Sequence, residues 1–247
     1  MAARRKTKLP APYLRSLRLK DPDAPLPGRY PFTLPWAKEG FELTFVEPVT
    51  ILMGESGSGK STLLEAIAAL AGFATSGGGN WAGGDLSHEA EDAEALAASM
   101  LAGWLPKIGQ GWFLKAQSFA SVSATTEKDY LAFSHGEGFS EMIADRMVGQ
   151  GLYLLDEPEA ALSPRKQAEL LRFLADVQSA GDAQVIMATH SPLLMAVPGA
   201  DLLQISHRGI DRADVRGTYH FRVWSAFTAD PDGFVAAVLA GDLEDLV

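Results

Sequence analysis

The sequence predicts an α/β fold in which a mostly parallel central sheet is flanked by helices. Three short apolar runs indicate buried strands of such a sheet. The first, residues 49–53, leads into a glycine-rich stretch and then into the helical pattern of residues 63–70. The second, residues 151–155, ends in Asp156-Glu157, and the third, residues 185–189, ends before His190. The carboxyl ends of parallel strands meet at one edge of the sheet, where ligands bind.

The chain begins with a basic segment and continues as an acidic body. Residues 1–20 are predicted to form a solvated, partly disordered basic tail, because this segment holds cations and no acid. The cations are Arg4, Arg5, Lys6, Lys8, Arg15, Arg18 and Lys20. The net charge of the whole chain is −10, which argues against a wide binding surface for duplex DNA. A nucleic-acid contact by the basic segment is possible, but the sequence does not indicate one.

Residues 21–247 are predicted to form a single domain. Prolines make residues 21–40 extended or turning, and residues 41–45 and 49–53 predict two strands, the first of an N-terminal antiparallel part. Glycines at positions 77–79 and 83–84 indicate a flexible connection. A helix over residues 87–105 and a strand over residues 112–116 follow. We expect a small helical subdomain over about residues 85–148.

The second half of the chain continues the alternation of helices and strands. Ser163 and Pro164 suit the start of a helix that Gly181 ends. Strands are predicted over residues 185–189 and 201–206, and a last helix over residues 234–239. Residues 219–224 alternate between apolar and polar side chains, which predicts a half-buried strand.

The composition favours a cytoplasmic protein. No apolar run reaches the roughly eighteen residues of a membrane-spanning helix, and the first residues lack the apolar core of a signal peptide. Cysteine is absent, which removes disulfides and thiolate metal sites. We therefore expect a cytoplasmic location and no integral membrane segment.

Residues 54–62 fit the phosphate-binding P-loop pattern G-x-x-x-x-G-K-[ST] and lie in the strand–loop–helix context that this motif needs. Glycines let the backbone turn sharply and bring N–H groups close to phosphate oxygens. Lys60 is predicted to reach the β- and γ-phosphates, and the Ser61 hydroxyl to coordinate Mg²⁺. The other predicted nucleotide-binding residues of the loop are Gly54, Glu55, Ser56, Gly57, Ser58, Gly59 and Thr62.

Two carboxylates at the end of the 151–155 run complete the predicted chemistry. Asp156 is placed to hold Mg²⁺, directly or through water. Glu157 would point at the γ-phosphate and could polarise the attacking water. The sequence therefore predicts a site for Mg²⁺ and a nucleoside triphosphate.

Together with further motifs, these residues resemble the ABC-type ATPases. The order is residues 54–62, Gln117, residues 134–137, residues 155–158, residues 161–164 and His190, and it covers most of the chain. The resemblance implies that Gln117 links Mg²⁺ to the attacking water and that His190 senses the γ-phosphate. It also implies that Ser134, Gly136 and Glu137 contact the γ-phosphate held by an opposite subunit. The family often stacks an aromatic side chain from upstream of the P-loop on adenine, and of Tyr30, Phe32 and Trp36 we choose Tyr30 for this role.

The sequence of residues 156–164 looks most like the corresponding motif of compact, soluble, single-domain ATPases of the repair, SMC-like and defence types. Such a resemblance implies hydrolysis of ATP to ADP and phosphate, and ATP-driven head-to-tail pairing of two copies as a switch on an unknown protein partner. The first alternative is an ATP-binding subunit of a membrane transporter, and the second is a P-loop kinase for small molecules. A binding module without hydrolysis is less favoured, because Glu157 is present.

Overall fold

A computed structural model describes residues 9–23, 25–79, 88–124, 126 and 128–243. The described residues form nine strands and eight helices. The strands are β1 (Leu14–Leu19), β2 (Glu42–Thr44), β3 (Val49–Met53), β4 (Met100–Trp104), β5 (Gly111–Lys115), β6 (Leu152–Asp156), β7 (Gln184–Ala188), β8 (Asp201–Ser206) and β9 (Gly209–Arg212). The helices are α1 (Lys60–Ala71), α2 (His88–Ala98), α3 (Phe119–Ser123), α4 (His135–Arg146), α5 (Pro164–Ala180), α6 (Pro192–Met195), α7 (Tyr219–Ala229) and α8 (Pro231–Ala240).

The central sheet has the strand order β5-β6-β7-β3-β8-β9 and is parallel except for the edge hairpin β8–β9. Every residue of β3, β6 and β7 is buried, because the sheet is covered on both faces. Successive side chains of β3 enter different cores: Leu52 packs in one apolar cluster, and Ile51 and Met53 pack in the other. The predicted α/β fold is confirmed, and the ends of β3, β6 and β7 lie at one edge.

A second sheet, β2-β1-β4, is antiparallel and lies beside the first. Gln184 of β7 joins the two sheets, since its side-chain carbonyl accepts from the backbone N–H groups of Tyr13 and Leu14, both at 2.8 Å. The predicted tail of residues 1–20 is therefore wrong over Leu14–Leu19, which is a strand with Leu14 and Leu17 fully buried. Apolar side chains recur between the cations of this segment, and they pack in the core. Residues 1–8 lie outside the described residues.

The predicted helical subdomain of residues 85–148 needs two corrections. Helix α2 ends at Ala98, and β4 follows where the sequence predicted more helix. Pairing with β1 overrides the local helical pattern, because each strand satisfies backbone groups of the other. Strand β5 belongs to the central sheet, so the helical part is reduced to α3 and α4. The predicted connection at glycines 77–79 and 83–84 lies partly outside the described residues, which omit 80–87.

The predicted strand over residues 219–224 is wrong, because this segment is the start of α7. Thr218 begins the helix: its hydroxyl accepts from the Phe221 N–H at 3.1 Å. The predicted helix over residues 234–239 is confirmed within α8, and Ser163 and Gly181 cap the two ends of α5 as predicted. Neither α7 nor α8 contains a buried residue. Within the described ranges, none of the helices is long and apolar enough to cross a membrane.

Candidate functional site

The P-loop connects β3 to α1 and depends on glycine for its path. Gly57 and Gly59 have φ angles of 79° and 91°, in the left-handed region that favours glycine. A Cβ atom at Gly59 would lie 2.8 Å from both Leu34 Cδ1 and Trp36 Nε1. The Trp36 indole N–H also donates to the Ser58 carbonyl at 3.0 Å. Sequence reasoning missed this support, because no local pattern joins Trp36 to the loop.

Lys60 is a buried cation folded back over the loop. Its side chain donates to the carbonyls of Gly54 at 2.8 Å and Glu55 at 3.1 Å, and the residue is 4% exposed. Burial lowers the pKa of Lys60, and the negative charge of Glu157 partly opposes this shift. A polyanionic phosphate chain at this loop would stabilise the ammonium in the same way.

Asp156 and Ser61 lie together at the end of β6. The Ser61 hydroxyl donates to Asp156 Oδ1 at 3.0 Å, and Asp156 is 1% exposed. Burial raises the pKa of Asp156 to about 6, although the nearby Lys115 cation acts in the opposite direction. A divalent cation would stabilise this buried carboxylate in its charged form.

The residues fit a nucleotide with its magnesium ion. Mg²⁺ prefers hard oxygen ligands and is usually held by one or two protein groups together with phosphates and water. The Ser61 hydroxyl and the Asp156 carboxylate supply such oxygens. In the ranges that the structure describes, no group of three or more His, Cys, Asp or Glu residues is placed to hold a metal ion. The Ser58 hydroxyl is buried and, among the described residues, has no hydrogen-bond partner, so a phosphate oxygen could accept from it.

Glu157 has an unusual backbone. Its φ angle is 48°, and among the described residues other than glycine it is the one with a positive φ. The left-handed conformation costs an L-residue about 1–2 kcal/mol, and residues held in it concentrate at functional sites. Gln117 Nε2 donates to Glu157 Oε2 at 3.1 Å, and His190 Nε2 lies 3.5 Å from Glu157 Oε1. Three predicted site residues therefore meet, with Glu157 between the other two.

Two residues that the sequence did not indicate complete the surroundings of His190. The half-buried Glu159 carboxylate accepts from the Thr189 hydroxyl at 2.8 Å and from the His190 backbone N–H. Burial raises the pKa of Glu159. On the other side, His190 Nδ1 lies 3.2 Å from His220 Nε2. Glu159 lies within residues 156–164, a segment that carries the family resemblance, so it could have been found, whereas His220 lies in the segment that was wrongly predicted as a strand.

The signature segment, residues 133–137, lies at the start of α4. The Ser134 N–H and hydroxyl both donate to Glu137 Oε2, at 3.3 and 2.6 Å, and these hydrogen bonds lower the pKa of Glu137. A Cβ atom at Gly136 would lie 2.9 Å from the Ala161 carbonyl, so the segment abuts the turn Pro158–Ala161. Among the described residues, no hydrogen bond or ion pair joins this segment to the group around Lys60. Ser134 and Glu137 are exposed.

Two cavities flank the P-loop. One of about 340 Å³ is lined by Tyr30, Thr62 and Asp156, and the Tyr30 hydroxyl shares a hydrogen bond with the Thr62 hydroxyl. The other, of about 630 Å³, is lined by residues 54–58, the β8–β9 turn and His220. The predicted nucleotide-binding residues Glu55 and Ser56 lie in this second cavity. The stacking of Tyr30 on adenine stays a prediction.

Comparison with known proteins bears on the family of this chain. Two family descriptions match parts of the chain: "AAA domain" over residues 32–95 and "AAA domain, putative AbiEii toxin, Type IV TA system" over residues 138–196. A thiamine import ATP-binding protein, ThiQ, of Cereibacter sphaeroides is 30% identical over 215 residues, which are 76% of this chain and 87% of that protein. This sequence relative covers enough of both chains to show the family.

Two solved structures are also similar. The SMC head domain from Thermotoga maritima is 12% identical with a TM-score of 0.47, over 82% of this chain and 99% of that chain. A structure described as "An inward-facing conformation of a putative metal-chelate type ABC transporter" is 16% identical with a TM-score of 0.43, over 72% and 76% of the two chains. Because both TM-scores are below 0.5, neither structure adds to the family assignment that the sequence relative gives.

Proposed function

The chain belongs to the ABC-type P-loop ATPases, and from this premise we propose that it acts as an ATP-driven switch: two copies pair head to tail around two nucleotides and separate after hydrolysis. Its reaction is the hydrolysis of ATP to ADP and phosphate. The observation that carries the proposal is the convergence of Ser61 and Asp156, whose side chains lie 3.0 Å apart although 95 residues separate them.

Each residue near this point has a distinct proposed role. Lys60 would bind the β- and γ-phosphates, and Ser61, Asp156 and Gln117 would hold Mg²⁺. When bound, Mg²⁺ neutralises charge on the phosphates. Glu157 accepts the proton of the attacking water, and the hydrogen bond from Gln117 together with the nearby His190 orients its carboxylate.

The exposed signature segment supports pairing with a second copy. Phe133 is 44% exposed and Leu131, just before it, is 50% exposed, beside the exposed Ser134 hydroxyl. Large apolar side chains next to an exposed serine at a helix start suit an interface that also carries an anion. In the proposed pair, this surface of one copy covers the γ-phosphate held by the P-loop of the other.

The test uses a copy that binds ATP but does not hydrolyse it. Glu157→Gln is expected to elute as a dimer in size-exclusion chromatography with ATP and Mg²⁺, and as a monomer without nucleotide. Hydrolysis would otherwise return the pair to separate copies. A Glu157→Gln protein that stays monomeric with bound ATP would contradict the switch.

A mixing experiment tests the head-to-tail arrangement itself. In the Glu157→Gln background, Lys60→Ala and Ser134→Arg are each expected to stay monomeric with ATP. Mixed together they are expected to pair, because one shared site then has an intact P-loop from one copy and an intact signature segment from the other. Failure of the mixture to pair would rule out this arrangement.

A second candidate function is the ATP-binding subunit of a membrane importer. It is favoured by the relative that is named a thiamine import ATP-binding protein. Under this proposal the chain would co-sediment with membranes of cells that also make its membrane partners, and its turnover would depend on them. Turnover by the purified chain alone, with none of it in the membrane fraction, would favour the first proposal.

The kinase alternative is less favoured. Glu157, held between Gln117 and His190, suits activation of water, and the family assignment favours hydrolysis. ATP turnover that strictly requires an added phosphate acceptor would revive it.

A further inference from the structure

His220 forms the outer end of a chain of three side chains that leads to Glu157. His190 Nδ1 and His220 Nε2 lie 3.2 Å apart, with the two ring centroids 5.5 Å apart. On the other side of the same ring, His190 Nε2 lies 3.5 Å from Glu157 Oε1. His220 comes from α7, 30 residues beyond His190, so the contact is a product of the fold.

The protons of this chain can be assigned from chemistry. Burial lowers the pKa of both His190 and His220, which favours neutral rings. A neutral imidazole carries one N–H and one bare nitrogen. One proton therefore lies between His190 Nδ1 and His220 Nε2, and it belongs to one ring or to the other.

In the first arrangement, His190 Nδ1–H donates to His220 Nε2. His190 Nε2 is then bare and turns its lone pair towards the Glu157 carboxylate, which is unfavourable. His220 must then carry its proton on Nδ1. That atom is buried and, among the described residues, has no hydrogen-bond partner, so a polar N–H would be left unpaired.

In the second arrangement, His220 Nε2–H donates to His190 Nδ1. His190 then carries its proton on Nε2, where the Glu157 carboxylate faces it at 3.5 Å. His220 Nδ1 is bare, so no buried N–H is left unpaired. This arrangement pairs a donor with an acceptor at both contacts, whereas the first does so at one.

We infer that His220 is a positioning residue, which donates from Nε2 to His190 and thereby fixes the tautomer in which His190 Nε2–H points at Glu157. The inference rests on the proposed function for its consequence: this N–H is the group that would donate to the γ-phosphate. Without His220, no donor faces His190 Nδ1, so the Nδ1-protonated tautomer, which presents a lone pair to phosphate oxygen, becomes more accessible.

The local structure holds His220 in place. The Thr218 hydroxyl accepts from Phe221 N–H and donates to the Val215 carbonyl at 2.7 Å, which fixes the first turn of α7. Thr218 is 1% exposed. The ring of His220 is therefore presented by a capped helix, a rigid support for a hydrogen bond that sets a tautomer.

The first test is a long-range ¹H–¹⁵N correlation spectrum of the ring nitrogens in the full chain without nucleotide. The chain has 5 histidines, and the spectra of His190→Gln and His220→Leu assign the two rings. We expect His190 to be protonated at Nε2 in the wild type and to become a mixture of tautomers in His220→Leu. His220→Gln should keep the wild-type tautomer, because the glutamine amide can donate from the position of His220 Nε2. A wild-type His190 protonated at Nδ1 would overturn the inference.

The second test is steady-state kinetics of the same variants. His220→Leu is expected to lower kcat for ATP about tenfold, the effect of one hydrogen bond of ordinary strength, with KM unchanged. His220→Gln should restore most of kcat, which a merely space-filling role would not do. Equal kcat values for His220→Leu and the wild type, or no rescue by glutamine, would contradict the inference.

Failure of the proposed function would be visible separately. If the wild type turns over no ATP, or Glu157→Gln does not pair, the switch proposal fails, while the nucleotide-free spectrum still decides the tautomer. If His220→Leu does not fold, the wild-type spectrum and the His220→Gln variant decide it.

Discussion

The P-loop region and the signature segment carry the two halves of one proposed site, but the fold treats them differently. In the P-loop region, residues 49–71, strand β3 is entirely buried and most of α1 is buried, including the charged Lys60. In the signature segment, Phe133, Ser134 and Glu137 are exposed. The P-loop region is therefore mostly buried, whereas the signature segment lies at the surface. In the proposed switch, the signature segment that completes the nucleotide site comes from a second copy.

The largest expected effect separates the two halves directly. Lys60→Ala should lower ATP turnover by about a thousandfold, because a preorganised cation at the phosphates is lost from a buried site. It should also weaken nucleotide binding by the monomer, measured with a fluorescent ATP analogue.

The matched variant on the other half is Ser134→Ala. It should bind the analogue as the wild type does, while its turnover falls and no longer rises with protein concentration. If Ser134→Ala weakened nucleotide binding by the monomer, the two halves would not be separate in the way that the structure indicates.

Sequence reasoning succeeded where a local pattern matches the final environment. The runs before Gly54 and in β6 are almost wholly apolar, so their burial on both sheet faces was predictable. The P-loop residues follow from a motif whose spacing is local.

The failures have a different physical origin. Strand β1 was hidden by its cations, although Leu14 and Leu17 alternate with them and pack in the core. Residues 219–224 alternate as a strand would, yet Thr218 caps a helix there. The contact between His190 and His220 depends on that helix, so it could not be predicted once the helix was missed.

The next effect concerns the stability of the buried half without nucleotide. Asp156→Asn should stabilise the free protein by up to about 3 kcal/mol at pH 7.5, measured by denaturant unfolding in a buffer without Mg²⁺. The reason is that burial raises the pKa of Asp156 to about 6. The charged carboxylate is therefore less favourable in the folded state than in the unfolded chain, where water solvates it. Asparagine can still accept the hydrogen bond from Ser61.

The stabilisation by Asp156→Asn should depend on pH. Because the folded pKa lies above the unfolded value, the stabilising contribution of protonation is complete below about pH 4 and is lost as the pH rises through 6. The advantage of Asp156→Asn should therefore narrow to about half between pH 7.5 and pH 5. A constant difference over this range would contradict the burial argument. Addition of ATP and Mg²⁺ should stabilise the wild type more than the variant.

A smaller effect on the free energy of unfolding is expected at Glu157. Glu157→Gly should raise the free energy of unfolding by about 1 kcal/mol, because glycine tolerates the φ angle of 48°. The same change should abolish hydrolysis. Glu157→Gln is the control, since it keeps a side chain in the left-handed conformation and should gain less. A Glu157→Gly protein that is less stable than the wild type would mean that the side-chain contacts outweigh the backbone cost.

The smallest effect is expected at the exposed ion pairs near the signature segment. Lys128 lies 2.7 Å from Asp145 and 3.0 Å from Glu141, with all three side chains at least 40% exposed. Water and salt screen such pairs, so Lys128→Met should leave the thermal midpoint almost unchanged.

The matched change is Lys115→Met in the buried half, where Lys115 and Glu65 lie 2.7 Å apart with about a tenth of each side chain exposed. That change leaves buried carboxylates without their cation and should lower the midpoint clearly. If the two variants lowered it equally, the surface around the signature segment would be as integral to this fold as the P-loop region, and a role reserved for a second copy would lose its structural support.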